Sequence, residues 1–357
     1  MMSSHERVMA VLNHQKPDRP PLNYYGTDET TEKLLKHLGI PSRLELQRYL
    51  GADFRYVTAK YVGPTCYCGM TGFYIAGTDI WGIKWAPASN EFCTYYESTP
   101  SLAHAETIQD LKDHPWPKQE WFTLDHLREQ IKALNNPERY AIVYSDLNFF
   151  EVACWIRGLE QLLMDMMERP DFVQFLMEKV TTFYHQLAMR AVEEAGDLID
   201  IIWSSSDVGT QSSLICSPRA WREQIKPWHR MQITPFKQMG LKTRYHSDGS
   251  LCTIIEDLIE MGLDLLDPIQ PNTPGMAPEE LVRDFGGRLA YYGGINTQTI
   301  LPYGTATDVE KEVLRYIDVL GRQNSYGYCV AASNSLQPDV PVENILTMFR
   351  TAREYRY

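Results

Sequence analysis

Tyr245-His246-Ser247-Asp248-Gly249 sets an imidazole and a carboxylate two residues apart, where the short strand expected over residues 241–245 ends. A helix expected over 252–261 follows, so the pair falls at the mouth of a βα unit, where a barrel of such units assembles its chemistry. An imidazole and a carboxylate can move a proton, hold a polar ligand or bind a divalent ion. A packed histidine and a helix-capping aspartate would account equally for His246 and Asp248 taken alone. The other strand ends tilt the balance towards a site.

Polar residues recur just after the expected strands. Ser145 and Asp146 follow 140–144, and Ser204 to Asp207 with Gln211 follow 198–203. Asp267 and Gln270 follow 263–266, and Tyr292 ends 289–292 ahead of Gly293, Gly294 and Asn296. Ser333 and Asn334 follow 326–331. Each has a local alternative as a cap, a turn or a tight backbone contact. Six successive strands decorated at the same end point instead to one shared pocket.

The elements that must position these groups are legible from periodicity. From about residue 105, helical repeats alternate with short apolar runs, and Phe172, Leu176, Val180, Phe183, Leu187 and Ala191 make one continuous helical face. Upstream, Ser3 and Glu6 have capping-box spacing, helices are expected over 29–38 and 43–50, and strands over 22–25 and 54–62. Another helix is expected over 149–167. The count is roughly eight βα units. The expected fold is therefore α/β, a distorted (β/α)8 TIM barrel with N-terminal helices. One domain would span residues 1–357, with an inserted hairpin region at about 63–100 in which 80–85 reads as strand. A doubly wound open sheet is the competing architecture.

Composition narrows the function. With 44% hydrophobic residues the chain can bury a full core, and a net charge of −12 offers no basic face for nucleic acid or an anionic membrane. No apolar run is long enough to span a bilayer and the N-terminus carries no signal pattern, so a cytoplasmic protein is expected. Seven scattered cysteines read as reduced thiols, and Cys66-Tyr67-Cys68 is too tight for an ordinary zinc knuckle. Nucleophile-elbow, phosphate-loop and dinucleotide motifs are absent from the sequence.

The chain resembles the uroporphyrinogen decarboxylase superfamily over nearly its whole length. The resemblance rests on Glu6 to His14 with Pro17-Asp18-Arg19-Pro20, on Asp79-Ile80-Trp81-Gly82, and on Arg157-Gly158-Leu159-Glu160. It continues in Asp207-Val208-Gly209-Thr210-Gln211, Tyr245 to Gly249, Gly293-Gly294-Ile295-Asn296-Thr297-Gln298 and Pro341 to Ile345. It implies a distorted (β/α)8 barrel. The arginine-bearing stretch expected after the first strand of a true decarboxylase is replaced by Pro21-Leu22-Asn23-Tyr24-Tyr25-Gly26-Thr27, which has no cation to grip a polycarboxylate.

The branch that serves corrinoid-dependent methyl transfer is the better match. Its thiol-methylating members carry a His-Xaa-Cys and a distant Cys on zinc; here the corresponding stretches read His246-Ser247-Asp248 and Ala332-Ser333-Asn334-Ser335, with Cys329 just before. A carboxylate in place of thiolate makes a harder, weaker metal site, suited to polarising an oxygen. The resemblance thus implies a methyltransferase moving a methyl group between a small, O-methyl substrate and a corrinoid on a partner protein. His246 and Asp248, with Cys329, would hold zinc or act on the methylated oxygen; Asp207 and Asp146 would position substrate or handle a proton. Gln211, Asn296, Asn334, Tyr292 and Gln270 would orient it. A decarboxylase-like lyase and a non-catalytic tetrapyrrole-binding or metabolite-binding barrel remain the alternatives.

Overall fold

A computed structural model describes residues 2–70, 76–89 and 94–357. Cys93 and part of the inserted region at 63–100 lie outside the described residues. Seven parallel strands pair in sequence order: β1 (Phe54–Val57), β2 (Ala141–Asn148), β3 (Ile201–Ser205), β4 (Lys242–His246), β5 (Leu265–Asp267), β6 (Ala290–Tyr292) and β7 (Tyr328–Cys329). The segment expected as strand 22–25 is reduced to two parallel bridges, Leu22 to Val330 and Gly26 to Leu336. On its other side Asp53 N donates to Leu22 O, so this segment stands between β7 and the start of β1 and closes the ring. The fold is a distorted TIM barrel.

Strand alternation divides the side chains between two cores. Phe54, Ala141, Val143, Ile201, Leu265, Ala290, Tyr292, Cys329 and Ala331 form the inner cluster, stoppered from below by Val8, Val11 and Leu12. These last three come from the helix Ser4–Leu12, whose start is fixed by the Ser3–Glu6 capping box. Residues of opposite parity, such as Ile202, Tyr245, Leu266, Tyr291 and Tyr328, face the surrounding helices. The helix Pro170–Ala195 buries its whole expected face there, each fully buried large apolar side chain contributing about 1.5–3 kcal/mol.

Several boundaries differ from the sequence expectation for identifiable reasons. The helix expected over 149–167 is two helices, Phe150–Arg157 and Leu159–Glu168, because Gly158 takes a φ of 90° between them. The run 54–62 stops at Val57, and Lys60–Tyr61 pairs instead with Phe122–Thr123. The strand expected at 80–85 starts only at Lys84, since Asp79 Oδ1 accepts from the backbone N of Trp81 (2.9 Å) and Ile83 (3.0 Å) and folds the segment before it into a turn. Strands Gly77–Thr78, Lys84–Ser89 and Thr94–Thr99 then form a separate antiparallel sheet. The helix expected from 252 begins at Ile255. Among the described residues, no helix is long and apolar enough to cross a membrane, and none of the described cysteines is in a disulfide.

Candidate active site

His246 is the last residue of β4 and shares parity with Arg244, so both point into the barrel, His246 above Arg244. The register sets His246 beside Asp267 on β5 and Ser205 on β3. The next interior layer is therefore polar, in contrast to the apolar layer below it. Arg244 Nε donates to Asp267 Oδ2 at 2.8 Å, and its Nη1 donates to the Tyr56 hydroxyl at 2.7 Å. The guanidinium also lies 4.0 Å from the Tyr292 ring centre. His246 Nδ1 sits 3.5 Å from the same Asp267 oxygen, and Nε2 sits 3.7 Å from Asp207 Oδ1.

Two loops complete the cluster by touching backbone to backbone. Asp248 N donates to Asp207 Oδ1 at 2.8 Å. A Cβ on Gly209 would lie 2.3 Å from Asp248 O, and one on Gly249, whose φ is +87°, would lie 2.6 Å from Gly209 C. Only glycine fits at either place. Asp207, His246 and Asp248 consequently offer ligand atoms all within 4.8 Å of one another. Asn334 Nδ2 donates to Asp248 Oδ2 at 2.6 Å, while Asp248 Oδ1 is buried without a hydrogen-bond partner.

Charge tunes the group. Burial works against a charged imidazole, but Asp267, then Asp207 and Asp248, outweigh it and push His246 up to about 10. Asp267 is buried too, yet the Arg244 guanidinium holds it below the usual carboxylate range. Burial pushes Asp248 up to about 6 against the pull of His246.

Asp146 lies within the register shift in β2, where its Oδ2 accepts from Ala59 N at 2.5 Å, and burial raises it to about 7. Gln270 braces the site by accepting from Gly249 N at 2.9 Å. Three expected ligands are placed otherwise. Gln211 is exposed on its turn. Asn296 spends its Oδ1 on the backbone N of Gln298 and Thr299, both at 2.8 Å, within its own turn. Tyr292 is buried in the barrel, its hydroxyl accepting from Asn23 Nδ2. Cys329 also departs from its expected role: its parity puts it in the apolar inner layer, burial raises its thiol pKa, and Asp207 stands in the ligand cluster in its place.

Glu151 was not among the expected site residues. Its Oε2 accepts from Asn148 Nδ2 (2.9 Å) and Ser205 Oγ (3.1 Å). Burial, followed by the charge of Asp207, pushes it up to about 7, with His246 opposing. A glutamate at the start of an otherwise apolar helix, just beyond a strand end, is the signal that could have found it. A cavity of about 680 Å³ opens elsewhere, lined by Met9, Asn13, Asp200 and Lys242 near the strand N-termini, and none of the mouth cluster lines it.

A profile of the family described as "Uroporphyrinogen decarboxylase (URO-D)" matches residues 95–355, and the chain belongs to that family. No curated protein matches the sequence. Among solved structures, a methyltransferase from Methanosarcina mazei is similar over 99% of this chain and 99% of its own, with a TM-score of 0.69 and 17% identity. A B12-independent methionine synthase from Shewanella sp. W3-18-1, in complex with selenomethionine, is more distant: TM-score 0.45, 11% identity, covering 95% of this chain and 93% of that one. At these identities the likeness concerns the fold.

Proposed function

We propose that this barrel is a methyltransferase that moves a methyl group from a small O-methyl substrate to a corrinoid carried by a partner protein. The observation that carries the reading is His246 at the barrel mouth, backed by Asp267, which Arg244 holds from behind. Breaking a methyl–oxygen bond leaves the electron pair on oxygen, and that oxygen must be stabilised and protonated as the methyl departs. His246 supplies a fixed positive hydrogen-bond donor to it. Glu151, near 7, supplies the proton and is recharged from solvent. Asp207 and Asp248 orient His246, and Asn334 holds Asp248 in place. Asp146, on β2 and bound to Ala59 N, is a second carboxyl able to hold a proton near neutrality. When docked, the corrinoid supplies the nucleophile that takes the methyl group.

Asp207, His246 and Asp248 also fit a divalent ion, and the unpartnered Asp248 Oδ1 is a donor such an ion would take. Two carboxylates and one imidazole form a harder site than thiolates, and an ion there would polarise the same substrate oxygen.

The test is methyl transfer to a reduced corrinoid from a panel of methyl ethers, with elemental analysis of the purified protein alongside. Formation of methylated corrinoid supports the reading. Near-stoichiometric metal that His246→Ala removes would assign the ion to this cluster, while transfer by metal-free protein would leave the protonated histidine as the activating group.

A further inference from the structure

We infer that the substrate accepted at this mouth carries no carboxylate and is neutral or cationic, an inference that rests on the proposed methyl-transfer site. Four carboxyl groups, those of Glu151, Asp207, Asp248 and Asp267, meet there one imidazole and one guanidinium. Arg244 is already committed, and His246, the donor to the methylated oxygen, already faces two carboxylates. Arg244 is 3% exposed and divided among Asp267, the Tyr56 hydroxyl and the Tyr292 ring. His246 is shared between Asp207 and Asp267.

Among the described residues, no lysine or arginine pairs with Glu151, Asp207 or Asp248, and the segments 71–75 and 90–93 contain neither residue type. Arg19, the arginine just before the closing segment, is bound to Asp53. An anionic ligand entering this mouth would lose its hydration next to like charges, with no lysine or arginine to meet it and with His246 already facing two carboxylates.

Two buried polar atoms beside His246 show that the mouth has bonds to give. Asp248 Oδ1 has no partner in the protein and can accept from a hydroxyl or an ammonium. Trp203, whose ring centre is 5.9 Å from that of His246, has an unpartnered Nε1 that can donate to an ether or hydroxyl oxygen. The rings of Trp203 and Tyr56 already face the Arg244 guanidinium, at 5.0 and 5.8 Å, and so occupy that cation further. Neither group offers a positive charge to a carboxylate.

Three nearly isosteric methyl ethers separate the cases: 2-methoxyethanol, 2-methoxyethylamine and methoxyacetate. Binding to the whole protein at neutral pH is read by ligand-observed magnetic resonance and by the shift of the His246 ring signals. Methoxyacetate is expected to bind roughly tenfold or more weakly than both of the others. Asp207→Asn, whose amide oxygen can still accept from Asp248 N, should narrow that gap, as should Asp248→Asn. Methoxyacetate binding as tightly as the neutral ether would overturn the inference while leaving methyl transfer standing. Failure of all three to perturb His246 would overturn both the inference and the proposed function.

Discussion

His246 Nδ1 faces Asp267 Oδ2 at 3.5 Å, and that oxygen is the one Arg244 holds from below. The imidazole is thus backed by a carboxylate that cannot easily take a proton. Asp267→Asn should leave Arg244 buried without its counter-charge, costing about 3–5 kcal/mol of stability in denaturant unfolding. In protein stripped of divalent ions, the same change should bring the His246 titration down from about 10 towards 6.5, read from its ring resonances. The sign follows from linkage: because the folded value is raised, stability from this pairing is full below pH 6.5 and is lost as pH rises through about 10. An unchanged titration would mean that Asp267 does not charge the ring.

Asp146 shifts stability with pH in the same direction, but in a lower window. Its folded value of about 7 stands above 3.8, so the folded protein binds the extra proton between them and stability erodes as pH rises through that window. Asp146→Asn keeps an acceptor for Ala59 N and should flatten this part of the stability profile, by on the order of 1 kcal/mol at the alkaline end. Unfolding curves at a series of pH values measure it.

The barrel and the strand-end positions of Asp207, His246 and Asp248 were legible in the sequence, because alternation and strand-end chemistry are local. Gln211 and Asn296 were misplaced because proximity to a strand end does not say whether a side chain turns inward or serves its own loop; Asn296 serves the turn. Cys329 was misplaced by depth, since residues of one parity can sit at the floor or at the mouth of the same barrel. Glu151 escaped notice because its role depends on Asn148 and Ser205, which meet only through the β2–β3 register.

Glu151→Gln retains the shape and one acceptor while removing the proton. Methyl transfer from an ether should fall by about 10²–10⁴-fold, and the loss of rate expected of the native protein as pH rises past about 7 should disappear from what remains. Stopped-flow rates across pH provide the comparison. A variant with native rates would remove Glu151 from proton delivery.

Uroporphyrinogen should not lose carbon dioxide here. The closing segment at residues 21–27 lacks arginine, and Arg19 is bound to Asp53 rather than free for a substrate carboxylate. Turnover of roughly 1 per second or faster, measured as released carbon dioxide, would restore decarboxylation as the activity.

The central claim is that His246 activates the departing oxygen during methyl transfer. Its most direct test is a single-turnover experiment: reduced corrinoid on its carrier protein, a neutral methyl ether and either native protein or His246→Ala, followed by absorbance. Conversion to the methylated corrinoid is expected with the native protein, at a rate at least about a hundredfold higher than with the variant. Equal rates for the two proteins, or no conversion by native protein across neutral and cationic methyl donors, would contradict it.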